Sequence, residues 1–481
     1  MSLGLAGAMA DHPAGRATRI LVIGGGFTGV ALALHLIRAT DAPLHLVLVD
    51  PSPEPGRGIA YATPDPEHRI NVPSDRMGLF ADDPHAFTRW LFAQGHLPDD
   101  GSHDGAGHFY VPRQLYGSFM ADQLGRAVAT AGEGRVRLEH RRARVVALAA
   151  VPGGWEARLD DGTQVTAEAA ALCLGHAPPQ PPCRVEVAAL NQAGLVSNPW
   201  SPGALRLIAA DAAVLVVGTG LTMADVIASL SAAGHRGPVT AVSRRGLVSR
   251  PHGAFDQPFD ILGGAPLPRT ALELLRLLRR CIATATQDWT VVVDALRSHL
   301  PELWGALPAA EQRRVLHRLL PFWEVHRFRI APQLQAAIQA AEGCGSLRIE
   351  RAALTGLDHD GARFQATLRR HGGATEQQGF DAVVLCTGPR KGVAADPLAA
   401  RLLADGVARL DAVGVGLAVD RSSRVLAPDG TPHPSLLALG PITRGSFGEM
   451  TGAPDIAKHL EAIAGPWLAS LVQHPHRIGS T

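Results

Sequence analysis

At 481 residues the chain is longer than one hydrophobic core usually serves, so two or more domains are expected. Its 45 basic and 44 acidic residues leave a formal net charge of +1, which excludes the strongly basic surface of a nucleic-acid binder or of a protein drawn to anionic membranes. No run of about 18 apolar residues is free of charges, and Met1–Ala10 has no basic leader, so neither a membrane span nor a signal peptide is expected.

The apolar run Ile20 to Ile23 leads into Gly24-Gly25-Gly26-Phe27-Thr28-Gly29 and then an apolar helical stretch. This is the strand, turn and helix that a dinucleotide fingerprint requires. Gly24 allows a tight turn, Gly26 lets backbone approach a pyrophosphate, and Gly29 lets the helix pack closely. The next strand, Leu44 to Val49, ends in Asp50, about 20 residues beyond Gly29, where a carboxylate accepts hydrogen bonds from ribose hydroxyls. That suits FAD or NAD. The first unit returns in Ala169 to Leu174, which ends at Gly175 before a proline-rich linker at 178–182.

A second fingerprint, Gly218-Thr219-Gly220-Leu221-Thr222-Met223-Ala224, follows the apolar run Val214 to Val217, and Gly218, Gly220 and Thr222 are its candidate cofactor contacts. Here the following strand, Val239 to Val242, ends in Ser243, Arg244 and Arg245 with no acid. Guanidinium forks bind a 2′-phosphate that an acid would repel, so this site is expected to take NADPH in preference to NADH. Two dinucleotides on one chain point to electron transfer between cofactors.

Between Thr270 and Ala340 the pattern is helical, with Leu272, Leu275, Leu278 and Ile282 on one face. Two later strands, Ala382 to Leu385 and Leu436 to Leu439, look like returns to the first sheet, the second of them ending at Gly440. The expected fold is therefore α/β, with two dinucleotide-binding (Rossmann-like) domains. The FAD domain is discontinuous, at 18–200 and 356–481, around an NADPH domain at 201–355 that carries a helical insertion at about 265–340. Cys173, Cys183, Cys281, Cys344 and Cys386 form no Cys-x-x-Cys pair, which suits a reduced, cytoplasmic protein and disfavours a disulfide reductase. The 21 histidines offer no metal-like grouping, although His252 follows the nicotinamide-side arginines closely enough to reach a cleft.

Several further motifs carry a resemblance. Gly24 to Gly29, Gly56-Arg57-Gly58-Ile59-Ala60-Tyr61, Asn71-Val72-Pro73, Phe87-Thr88-Arg89-Trp90-Leu91 and Val111-Pro112-Arg113-Gln114-Leu115-Tyr116-Gly117 are similar to the FAD/NAD(P)-binding flavoprotein monooxygenases that include FAD-dependent urate hydroxylase. The nitrosuccinate-forming L-aspartate N-monooxygenase shares this amino-terminal domain. Trp323-Glu324-Val325-His326-Arg327-Phe328-Arg329 and Gly440-Pro441-Ile442-Thr443-Arg444-Gly445 resemble later motifs of the same family.

The resemblance implies an enzyme in which NADPH reduces FAD and the reduced flavin binds oxygen as a C4a-hydroperoxide, with the protein orienting the cofactor and excluding water. The substrate is then a small polar nitrogen-containing compound, with urate the first expectation. The alternatives are an amino-acid or amine N-hydroxylase of the same family and an NADPH-dependent flavin reductase serving an external acceptor. Asn71 and Val72 border the isoalloxazine or form only a turn. Arg57 approaches the FAD pyrophosphate or caps a loop, and Gly440 lets backbone approach the flavin. Pro441 departs from the aspartate that many two-domain flavoproteins place there. His326 and Arg327 read from the residues alone as an exposed basic helix face with one packed histidine; the resemblance brings them into the site as catalytic candidates. No resident metal is expected, and the oligomeric state is left open.

Overall fold

The computed structural model describes residues 17–96, 103, 107–132, 134–177, 179–253, 258–389 and 392–473, so Met1–Ala10 lie outside the described residues. Strands β1 (Thr18–Ile23), β2 (Leu44–Val49) and β3 (Val136–Arg141) run parallel in the order 1-2-3. A small antiparallel meander follows, β4 (Val145–Val151), β5 (Gly154–Leu159) and β6 (Gln164–Ala167), and the chain then re-enters the first sheet as β7 (Ala169–Leu172) beside β1. Continuous apolar runs such as Ile20 to Ile23 suit parallel strands covered on both faces. Phe27–Arg38, the helix after the first glycine turn, is buried from Phe27 to Ile37, because the last helix, Ala453–Gln473, covers its outer side.

The second sheet begins earlier than the sequence suggests. Strand β8 (Arg184–Val185) and strand β9 (Leu195–Val196) already belong to it, followed by β10 (Val214–Val217), β11 (Val239–Ser243), β12 (Leu347–His359), β13 (Phe364–Arg370), β14 (Thr375–Phe380) and β15 (Ala382–Leu385). Strand β15 pairs in parallel with β10, Val214 opposite Ala382. The expectation that Ala382–Leu385 returns to the first sheet is therefore corrected, and with it the boundaries at 200 and 355. The second unit runs from about Arg184 to Leu385. A four-residue apolar strand fits either parallel sheet equally well, and its partner is settled by the β12–β14 meander that delivers it to the second.

The chain goes back to the first sheet through β16 (Arg424–Leu426) and β17 (Pro432–Ala438), the latter parallel to β7. The second unit is thus inserted into the first, and the architecture is α/β with two dinucleotide-binding domains. The insertion forms helices Ala271–Thr284, Trp289–Ser298, Leu300–Ala306, Ala309–Arg318 and Leu320–Arg327 around its own core of Ile261, Leu274, Val292, Leu303 and Trp304. Pro332–Gly343, placed in the insertion by its sequence pattern, instead packs on the second dinucleotide helix, Leu221–Ala232, as the crossover between β11 and β12. No described helix is long and apolar enough to cross a membrane.

Candidate functional site: two glycine turns and the boundary between them

The two turns are built alike. Gly24 N donates to Val49 O at 2.9 Å and Gly218 N to Val242 O at 2.8 Å. Cys173 N donates to Ile23 O at 2.7 Å and Cys386 N to Val217 O at 2.8 Å. Gly24 (φ +104°) and Gly218 (φ +117°) adopt a conformation L residues avoid, and a Cβ on either would stand 2.2 Å from Cys173 O or 2.0 Å from Cys386 O. The two cysteines thus close the far side of each turn as small buried groups, and burial raises both thiol pKa values.

At the first turn, Gly26 caps the helix with extended backbone, and a Cβ there would lie 3.3 Å from Gly58 Cα. Gly56 N donates to Gly25 O at 2.7 Å, so the Gly56–Gly58 segment lies directly over the turn. The slot so formed is walled by backbone, which is what a diphosphate taking hydrogen bonds from a helix N-terminus requires. Gly29 permits the close helix approach, since a Cβ there would meet Gly24 O at 1.9 Å. Asp50 stands at the end of β2 with Oδ2 accepting from Gly25 N at 2.7 Å and Oδ1 from Ser52 N at 2.8 Å, so the carboxylate braces the turn while retaining lone pairs for a ribose. Arg57 is taken by Glu54 (2.8 Å) and Ser118 (3.2 Å), which fits the loop-capping alternative. Gly440 (φ +76°) brings the C-terminal return against Thr28 at the start of the first helix, where a Cβ would lie 2.9 Å from Thr28 Oγ1. Val72 packs at the margin of the first core.

The second turn is more open. A Cβ on Gly220 would meet nothing within 4 Å, and Thr222 is half-buried in the first turn of the helix. Ser243 occupies the place that Asp50 holds in the first unit, accepting from Thr219 Oγ1 at 2.8 Å and Gly246 N at 3.0 Å. Arg244 and Arg245 are exposed at the strand end, Arg245 over the Phe322 ring at 5.1 Å.

The units meet through polar groups that the sequence only partly signalled. His252 Nε2 bonds Asn71 O at 3.0 Å, and its ring lies 5.0 Å from that of Tyr110, so the loop after β11 touches the Asn71-Val72-Pro73 segment. Arg113 of the first unit pairs with Asp225 of the second dinucleotide helix at 2.8 Å, both side chains buried, and Trp200 Nε1 donates to the same carboxylate oxygen at 3.2 Å. Burial pushes Asp225 up to about 6 despite the opposing charge of Arg113. Sequence reading passed over this pair, although a lone acid inside the apolar helix Met223 to Leu230 is a signal that a buried partner exists.

The insertion residues stand elsewhere than expected. His326 Nδ1 bonds Phe322 O one turn back at 2.7 Å and its ring packs edge-on against Trp289. Arg327 is buried and engaged by Glu449 at 2.8 Å and Asp455 at 2.9 Å, with Arg297 sharing Asp455 at 2.7 Å. Burial would raise Asp455, but Arg297 and Arg327 outweigh it and hold the carboxyl below its usual range. His326 thus sits on a helix turn, and Arg327 sits in a buried ion cluster that ties the insertion to the last helix. Glu449 and Asp455 are the acidic members of that cluster. Among the described residues no group of His, Cys, Asp and Glu has the arrangement of a metal site.

Two mixed sheets, each opening on a glycine turn at the carboxyl end of its parallel strands, define a protein with two dinucleotide-binding domains. Residues 21–177 match the family described as FAD-NAD(P)-binding. No curated protein sequence matches the chain. The fold is shared with the ornithine N-hydroxylase of Kutzneria sp. 744, solved with reduced FAD, NADP⁺ and L-ornithine, at 16% identity and a TM-score of 0.63 over 95% of this chain and 100% of that one. L-lysine 6-monooxygenase from Pseudomonas syringae gives 17% identity and a TM-score of 0.63 over 96% and 100% of the two chains. Lactococcus lactis thioredoxin reductase gives 10% and 0.50 over 95% and 100%, so the fold spans more than one chemistry.

Proposed function

We propose that the chain is an FAD- and NADPH-dependent monooxygenase that N-hydroxylates a small amine or amino acid. The observation that carries this is the exchange of Asp50 for Ser243-Arg244 at structurally equivalent strand ends, which fits FAD at one turn and NADPH at the other. Amino-acid N-hydroxylation is supported by the fold shared with an ornithine N-hydroxylase and an L-lysine 6-monooxygenase. The disulfide-reductase alternative is disfavoured because all five cysteines are unpaired and scattered.

Bound FAD, reduced by NADPH, supplies the two electrons that activate oxygen for hydroxylation. The protein's part is placement. Gly24–Gly29 and Gly56–Gly58 hold the diphosphate, Asp50 the ribose, and Arg244 with Arg245 the 2′-phosphate. The His252–Asn71 contact sets the nicotinamide-side loop against the flavin-side loop, and the Arg113–Asp225 pair fixes one unit against the other. NADPH oxidation under air is followed with L-ornithine, L-lysine, L-aspartate and urate, with peroxide and hydroxylamine product measured in parallel. Oxidation stimulated by an amine with hydroxylamine formed and little peroxide is the expected result. Slow oxidation that yields only peroxide with every amine rejects the reading in favour of a flavin reductase.

A further inference from the structure

The position next to Ser243 across the sheet is a third arginine. Strands β11 and β12 are parallel with Ser243 opposite Arg351, so the two side chains lie on one face of the sheet. Ser243 identifies that face, because its Oγ bonds Thr219 of the glycine turn. The stem of Arg351 lies along the 243–246 turn, where a Cβ on Gly246 would be 3.4 Å from Arg351 Cβ, and the side chain is exposed. Glu350 alternates to the opposite face and is held there by Arg370. Among the described residues no carboxylate forms an ion pair with Arg244, Arg245 or Arg351, and Arg245 leans on Phe322.

We infer that Arg351 is a specificity-determining arm of the 2′-phosphate site, closing on the phosphate from the β12 side while Arg244 closes from the β11 side. Three guanidinia without an acid partner, two at the carboxyl end of β11 and the third on β12 level with it, form a concentrated positive field where a dinucleotide's adenosine end lies. Only a doubly charged phosphate monoester uses the planar forks of two arginines at once, and NADH has none there. This inference rests on the NADPH reading given above.

The test is calorimetric titration of the full-length, FAD-loaded protein with NADPH, NADH and 2′,5′-ADP, for wild type, Arg351→Ala and Arg351→Lys. Arg351→Ala is expected to weaken NADPH and 2′,5′-ADP by about tenfold or more while NADH stays within about twofold, the loss of one charged hydrogen-bonding partner. Arg351→Lys is expected to recover part of that loss. A wild type that prefers NADPH, combined with an Arg351→Ala protein of unchanged preference, overturns the inference and leaves the cofactor reading standing. Equal weakening of NADPH and NADH gives Arg351 a structural role and also overturns it. A wild type indifferent to the 2′-phosphate removes the NADPH reading itself, and the inference with it.

Discussion

The two dinucleotide turns share a backbone and differ in what surrounds it. Gly24 and Gly218 make matching bonds to the neighbouring strand, and Cys173 and Cys386 close both from behind. Around the first turn everything is close: Gly58 presses on Gly26, Thr28 on Gly440, and Gly29 on Gly24. Around the second, Gly220 is open and Met223, in the place of Gly29, drives a whole side chain into the second core. The helices differ as well, since the place of Asp225 on the second is taken by the fully buried Ala31 on the first. On the proposed assignment the covered slot suits a resident FAD and the open one an exchanging NADPH.

The comparison breaks first if the covered and open turns respond alike to bulk. Gly26→Val places methyl groups into the slot beneath Gly58, and the purified protein is expected to be colourless. Gly220→Val meets no protein atom near its Cβ, so it is expected to purify yellow while losing NADPH binding. Visible spectra of both proteins check this, and two yellow proteins of equal FAD content would end the distinction.

Asp225→Ala leaves Arg113 buried without its partner and is expected to destabilise the protein by about 3–5 kcal/mol in denaturant unfolding. Replacing both charges together, Arg113→Met with Asp225→Leu, is expected to recover most of that loss, because no unpaired charge remains. Double substitution of Arg244 and Arg245 by alanine is expected to weaken NADPH roughly tenfold to hundredfold, with NADH changed far less. Equal losses remove the 2′-phosphate argument.

The smallest effect concerns pH. Burial lowers His35, His68 and His459 to about 4 from an ordinary value of 6.5, so the folded state resists protonation that the unfolded chain accepts. Their contribution is fully present above pH 6.5 and is lost as pH falls from 6.5 toward 4. Asp225, raised to about 6, acts in the opposite sense between about 4 and 6, and burial raises Asp411 too, but these two carboxyls stand against four imidazoles, since burial also lowers His176 to about 4. Thermal melts are expected to show a lower midpoint at pH 5 than at pH 7.5.

Much of the first unit was legible because its signals are local. A glycine turn between an apolar strand and an apolar helix, and an acid at the next strand's end, constrain one another over about thirty residues. Strand Ala382–Leu385 was misassigned because four apolar residues carry no information about which parallel sheet receives them; the preceding meander decides. The burial of Arg327 was not legible for a related reason. Basic residues on a helix face look alike whether they meet solvent, substrate or a buried acid, and its partners Glu449 and Asp455 lie more than a hundred positions away. Asp225 was the missed opportunity, a charge in an apolar helix whose burial was foreseeable though its partner Arg113 was not.

The most direct measurement is anaerobic mixing of the purified yellow protein with NADPH or NADH while the oxidised flavin absorbance is followed. Rapid bleaching by NADPH and much slower bleaching by NADH at equal concentration is the result predicted by the proposal that one turn holds FAD and the other selects the 2′-phosphate. Bleaching by both at the same rate, or by neither, would contradict the assignment of the two turns.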